Sequence, residues 1–215
     1  MKQHKVAMLL RLVPTVWDGL DRKVRNQVRK AQKSGLTVDV GGIDLVADFY
    51  TVFTRNMRDL GTPVYGRRLF EEVLRTFPER TALHVVRLEG RPIAAGLTYR
   101  THGTVEVPWA SSVRDYNHLC PNHLLYWSVI ERALQQGCDT LDFGRSTPGE
   151  GTFKFKEQWG AQPVALHWEY ELLDGAAVPN VSPSNPKYRL MIETWKRLPV
   201  PVATILGPRI VRCIA

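Results

Sequence analysis

Apolar residues recur every three or four positions from Pro14 to Ser34, where Trp17, Leu20, Val24, Val28 and Ala31 fall on one stripe. That spacing predicts one amphipathic helix, ended by Gly35. A short strand follows near Leu36 to Val40. Val46, Phe49, Tyr50, Phe53, Met57 and Leu60 then predict a helix over Ile43 to Leu60, and Phe70, Val73, Leu74 and Phe77 another over Arg67 to Phe77, with Gly61 and Pro78 as stops. The period changes to two over Ala82 to Leu88, Ile93 to Thr101 and Thr104 to Ser111, an antiparallel meander turned at Glu89-Gly90 and His102-Gly103. A long helix from about Pro121 to Gln136, apolar at Leu124, Trp127, Ile130 and Leu134, leads to the strand Thr140 to Phe143. A strand, a crossover helix and a strand imply one parallel pair in the sheet. A Gly-rich loop, a short helix near Phe153 to Gln158, a strand at Val164 to Leu173 and a helix near Lys187 to Leu198 complete the pattern.

This order is the pattern expected of an α/β fold of GNAT-like (acyl-CoA N-acyltransferase-like) type, a single domain with a mixed, mostly antiparallel sheet and one parallel crossover. Its expected divisions are an N-terminal basic helical arm over residues 1–35, the acyltransferase domain over 36–180, and a C-terminal helix and tail over 181–215. The 215 residues suffice for one sizeable core, and 44% apolar with 23% charged residues is the balance of an ordinary globular chain. No window approaches the ~20 apolar residues of a bilayer span, and Met1-Lys-Gln-His-Lys-Val6 lacks the apolar core of a signal peptide. The expected location is therefore the cytoplasm, with peripheral contact at the inner membrane left open. Cys120, Cys138 and Cys213 have no metal-ligand spacing and are odd in number, so no metal or disulfide framework is expected.

A net charge of +8 favours polyanionic company such as CoA phosphates, tRNA, a nucleotide-linked substrate or an acidic lipid surface. Arg22, Lys23, Arg25, Arg29, Lys30 and Lys33 concentrate part of it on the first helix. Such a helix is either a solvated surface or a contact for phosphates or membrane.

Several short strings carry no chemistry. Asp142-Phe143-Gly144 has none of the other kinase elements, Gly144-Arg-Ser-Thr-Pro148 is not a nucleophile elbow, and Gly149-Glu-Gly-Thr-Phe153 lacks the lysine of a P-loop. The strand Thr104-Val-Glu-Val-Pro-Trp-Ala-Ser111 is more informative. Proline cannot donate to a ladder, so Pro108 marks a break in pairing. In GNAT-type acyltransferases the central strands splay at such a point and free backbone groups for the donor carbonyl. Glu106, two residues earlier, is either an exposed strand carboxylate or the group that accepts a proton from an attacking amine. The following loop, Ser112 to Asn122, precedes a helix N-terminus suited to phosphate, yet it contains no glycine where the GNAT pyrophosphate loop reads Q/R-x-x-G-x-G/A. The stretch Asp142 to Gly160 lies just beyond a parallel strand's carboxyl end, where α/β sheets bind ligands.

Two strings resemble Fem-type aminoacyltransferases: Val24-Arg-Asn-Gln-Val-Arg-Lys-Ala-Gln-Lys-Ser-Gly35 with Asp48-Phe-Tyr-Thr-Val-Phe53, and Phe155-Lys-Glu-Gln-Trp-Gly160, similar to their F-K-x-x-[F/W]-G motif. Asn56 to Tyr65, Glu106 to Ser111, Asn122 to Trp127 and Asp142 to Gly160 resemble the FemAB-related proteins of PEP-CTERM and exosortase systems in exopolysaccharide-producing bacteria. Members usually carry a preceding GNAT-like half, so this chain is expected to begin at the junction. The resemblance implies transfer of an acyl or aminoacyl group from acyl-CoA or aminoacyl-tRNA to an amine on a small molecule, glycan or peptide, without a metal, in exopolysaccharide or cell-envelope biosynthesis. It places Lys156 near the reacting groups, with Glu106 as the second catalytic candidate. Donor or substrate contacts are expected from Arg58, Tyr65, Trp109, Ser111, Arg114, Tyr116, Asn122, Asp142, Arg145, Ser146 and Trp159. The reading from another class is a catalytically silent module that binds a polyanion or membrane surface through the basic helix.

Overall fold

A computed structural model describes residues 5–169, 171 and 186–212. The chain opens with strand β1 (Val6–Arg11), where the sequence pattern gave no element. The expected helix over Pro14 to Ser34 is two helices, α1 (Val16–Gly19) and α2 (Arg22–Lys33). The break has a local cause: Leu20 is extended, and the Asp21 carboxylate accepts the Lys23 N–H at 2.6 Å, capping a fresh helix start. β2 (Leu36–Gly41) leads through a 3₁₀ turn, Ile43–Leu45, into α3 (Val46–Leu60), and α4 (Arg67–Thr76) follows.

β3 (Thr81–Leu88), β4 (Arg91–Thr101) and β5 (Thr104–Ser112) form the meander. Both residues of each connecting turn, Glu89-Gly90 and His102-Gly103, have positive φ, the twist that two-residue hairpins require. A 3₁₀ segment (Arg114–Leu119) and α5 (Pro121–Gln135) cross over to β6 (Thr140–Ser146). Then come α6 (Gly151–Glu157), β7 (Gln162–Ala165), α7 (Pro186–Arg197) and α8 (Val200–Val211). The expected strand Val164 to Leu173 is thus a four-residue strand starting two positions earlier. Its distal part, Tyr170 with Leu172 and Leu173, lies outside the described residues.

Among the described residues seven strands lie in the order β2-β3-β4-β5-β6-β1-β7, and β5 with β6 is the one parallel pair. β1 lies within residues 1–35, where a helical arm is expected, yet it is a strand of the sheet. It pairs antiparallel with β6 on one side and β7 on the other, so Met8, Leu10 and Leu12 are buried in the main core. That core holds α2 and α5 against the sheet, with Val24, Val28 and Ala31 of α2 fully buried. Each buried valine is worth roughly 1.5–3 kcal/mol. A second core forms on the opposite face, where Phe49 and Phe53 of α3 and Phe70 of α4 pack edge to face over Leu83, Val85 and Leu97.

Candidate active site

β5 is paired unevenly along its length. Thr104, Val105 and Glu106 face Thr140, Leu141 and Asp142 of β6, and the parallel ladder ends there. On the β4 side the register slips between Leu97 and Tyr99, so Val107 and Pro108 together oppose Thr98. This bulge follows from Pro108, which has no N–H to offer. It also inverts the strand's facing. Val105 and Val107 point into the α2/α5 core, whereas Trp109 points to the α3/α4 core.

Where β5 and β6 part, a cleft of about 390 Å³ opens. It is lined from β5 by Ala110, Ser111 and Ser112, from α3 by Asn56 and Leu60, from α5 by Asn122 and Tyr126, and from α6 by Gly151, Thr152, Phe155 and Lys156. Because α3 and α5 cover opposite faces, the cleft traverses the gap in the sheet. Two side-chain hydrogen bonds brace the β5 wall. Asn56 Nδ2 donates to Ser111 Oγ at 3.0 Å, and Asn122 Nδ2 donates to Ser112 Oγ at 3.1 Å.

Lys156 is only 8% exposed. Its Nζ donates to the carbonyls of Gly144 at 3.1 Å and Arg145 at 3.0 Å, tying α6 to the end of β6. An ammonium has three donors, so one remains for the cleft. Burial lowers its pKa to about 8, opposed by the Asp142 carboxylate. The ammonium therefore persists at neutral pH, close to the range in which it can also release a proton. Lys154, two residues earlier, is exposed.

Behind this lysine an aromatic group holds α6 in place. Phe155 and Trp159 pack with His123, Tyr126 and Phe143 at ring separations from 5.0 to 6.4 Å. His123 lies nearly parallel to Trp159, and its pKa is lowered to about 4 by burial and by Lys23.

Of the residues expected from sequence, Lys156, Ser111 and Asn122 line the cleft together. Trp159 is 1% exposed and buttresses Phe155. Glu106 does not line the cleft: it sits at the last paired position of β5, opposite Asp142. Its pKa is raised by burial first and by the Asp142 charge second, with Arg145 opposing. Asp142 accepts the Gly144 N–H at 2.7 Å, and Arg145 lies 5.5 Å over the Trp168 ring. Ser146 is buried on β6.

Trp109 departs from the expectation that it faces the cleft. It packs on Phe70 at 5.2 Å and Tyr65 at 6.5 Å in the second core. The Tyr65 carbonyl accepts from the Tyr50 hydroxyl, and Arg58 donates to the Leu198 carbonyl at 3.1 Å, so both belong to the packing around α3. Tyr116 lies beneath the Arg91 guanidinium, and Arg114 is exposed at the start of the 3₁₀ segment. Asn56, Leu60, Ser112 and Thr152 line the cleft without having been singled out. Asn56 was discernible in principle, three residues beyond the buried Phe53 on the same side of α3. Among the described residues no group of three or more His, Cys, Asp or Glu side chains could hold a metal ion, and no helix is long and apolar enough to cross a membrane.

A mixed sheet that splays beside its one parallel pair, with a bulge at the splay, is the architecture of GNAT-type acyltransferases. Residues 20–157 match the family described as Acetyltransferase (GNAT) domain, and the chain belongs to it. Among solved structures, the chain is similar to FemX at 14% identity and a TM-score of 0.67, over 74% of this chain and 59% of that one. It is also similar to the C-terminal domain of a putative lysylphosphatidylglycerol synthetase from Agrobacterium fabrum, at 12% identity and a TM-score of 0.59, over 76% of this chain and 59% of that one. L-PGS from Bacillus licheniformis gives 11% identity and a TM-score of 0.55, with the same two coverages. The chain thus spans less than two thirds of each. No curated protein matches it. These likenesses show a Fem-like GNAT fold.

Proposed function

We propose that this domain moves an acyl or aminoacyl group onto an amine, with the donor carbonyl held in the cleft beside β5 and Lys156. The reading is carried by one observation: the strand gap, the braced β5 edge and a buried lysine with a spare donor converge on the same 390 Å³. The acceptor nitrogen attacks the carbonyl carbon, a C–N bond forms, and negative charge moves to the carbonyl oxygen. Lys156 and the β5 backbone stabilise that charge. Collapse breaks the C–S bond of a thioester or the C–O bond of an ester, and the leaving thiolate or alkoxide takes a proton from water, matching the one that the amine gives up. Glu106 receives the amine's proton through water, because it stands at the last paired position before the gap rather than inside it.

The donor is acyl-CoA or aminoacyl-tRNA; the family favours the former, and the likeness to FemX leaves room for the latter. The resemblance of the Asp142 to Gly160 stretch to FemAB-related proteins supports a role in exopolysaccharide or cell-envelope chemistry. Thermal-shift measurements with acyl-CoAs, CoA, aminoacyl-tRNA mimics and nucleotide-sugars identify the donor class, since a ligand that binds only the native state raises Tm. A shift with one donor class that disappears in Ser111→Trp, a residue that fills the cleft, is the expected result. Shifts unaffected by that change would remove the cleft from the function. The silent binding module keeps one supporting observation, the exposed Arg22, Lys23, Arg29, Lys30 and Lys33 of α2. It predicts salt-sensitive polyanion binding with no turnover for any donor.

A further inference from the structure

α8 turns its small residues inward and its larger aliphatic residues outward. It docks on the Thr62–Gly66 segment through its small residues: Ala203 is 2% exposed, and a Cβ on Gly207 would fall 2.7 Å from the backbone nitrogen of Val64. That close approach leaves the larger aliphatic residues on the other side. Val202, Ile205 and Leu206 stand 39%, 63% and 38% exposed, at the i, i+3, i+4 spacing that continues to the exposed Arg209. α7 adds Leu190 and Met191, 78% and 64% exposed. Isolated exposed apolar residues need no explanation, but five on two consecutive helices do.

The charge around them is mostly positive. Arg189 and Arg197 on α7, Arg209 on α8 and Arg212 just after it are exposed, and Glu193, the one acidic residue of the two helices, is paired with Lys196 at 2.8 Å and also lies in the field of Arg197 and Arg189. We infer that α7 and α8 form an interfacial anchor that lies on an anionic phospholipid bilayer, with Val202, Ile205 and Leu206 inserted at the acyl boundary and the arginines among the headgroups. Neither helix is long enough to span, so the pair lies in the plane of the surface. The basic α2 packs on the opposite face of the sheet and is not the anchor.

The anchor is continuous with the cleft. Leu60, 58% exposed, lines the cleft, and Gly61 immediately after it touches Ile192 of α7. Taken with the transfer reading above, on which this consequence alone rests, the anchor holds the cleft beside the bilayer surface.

The test is flotation of the full chain with vesicles of phosphatidylcholine alone and of phosphatidylcholine with roughly 30% phosphatidylglycerol. Wild type is expected to float with the anionic vesicles. Ile205→Glu with Leu206→Glu, both at exposed positions, should weaken binding by about tenfold or more, with far-UV circular dichroism and Tm unchanged. Arg25→Gln, Arg29→Gln and Lys30→Gln together should leave it intact. No flotation of wild type, flotation unaffected by the α8 change, or loss only in the α2 triple variant overturns the inference. So does a wild-type dimer in solution that the α8 change converts to monomer, because a second copy would then cover this face. Donor binding by thermal shift in the α8 variant separates failure of the anchor from failure of the transfer reading.

Discussion

The two halves of β5 show what a strand gains by being paired and what it gains by being released. Thr104 to Glu106 are held by β4 and β6 together, and Val105 is buried between them. Beyond the bulge at Val107 and Pro108 the same strand keeps β4 and loses β6, and the freed side becomes a cleft wall. Ladder hydrogen bonds on both sides, together with packing, stabilise the first half. The second needs Asn56 and Asn122 to brace its serines and Lys156 to bridge the end of β6, so polar contacts replace a ladder.

Lys156→Met breaks this comparison most severely. It removes the cation at the released half without touching the paired half, and turnover should fall by roughly 100-fold or more, the order seen when one preorganised donor is lost. Lys154→Met, at an exposed site on the same short helix, should leave turnover near normal. Single-turnover rates with the identified donor check both, and equal losses would return Lys156 to a structural role tying α6 to β6.

Acid should separate the two halves by stability. His84 lies under the paired meander, with Nδ1 2.9 Å from Ser128 Oγ, its pKa lowered to about 3 by burial and by Arg132. His123 lies under the released half and is lowered to about 4, by burial and by Lys23. Both folded values are depressed below the unfolded imidazole near 6.5, so the unfolded chain takes up protons first. Stability is complete above about pH 6.5 and falls as pH drops toward 4, by on the order of a few kcal/mol for each histidine. Tm measured from pH 7 to pH 4 should decline steeply, and less so in His123→Phe. A flat profile would mean that neither ring is held neutral.

Asn56→Ala tests the brace. It leaves Ser111 Oγ without that donor, and a cost of about 1 kcal/mol in stability is expected, read from urea unfolding. Donor affinity should fall alongside. An equal stability loss with unchanged affinity would make the brace a packing feature only.

How far the sequence reveals these halves depends on which signal was local. Pro108 announces the break because a missing N–H is a property of one residue. The phase inversion that follows is not local: a bulge adds one residue, and Trp109, expected among the donor contacts, ends in the second core on Phe70. β1 escaped detection because Val6-Ala-Met-Leu-Leu10 is a short apolar run without alternation, and such a run is ambiguous until its partners β6 and β7 are known. α8 escaped for the opposite reason, since Pro201 and Pro208 argue against a helix, yet Pro201 sits in the first turn and Pro208 near the end. The α2 helix was legible as a basic amphipathic stripe, but the Asp21 cap that severs it from α1 acts through one side-chain hydrogen bond.

The smallest expected effect lies farthest from β5. α2 carries Arg29 over the Trp17 ring at 5.6 Å, and Trp17 in turn meets Trp127 of α5 at 4.4 Å. Arg25, Arg29 and Lys30 are all on a helix whose apolar side is already buried, so their replacement by glutamine should change Tm little. If the helix meets anionic ligands, affinity for tRNA or CoA should weaken in the triple variant at low salt and converge with wild type as salt rises, because exposed charges are screened within about 10 Å at 0.1 M. Isothermal titration at two salt concentrations reads the difference. Affinity equal at both would make α2 a solvated surface, and would leave the released half of β5 and the cleft beside it as the site that the donor meets.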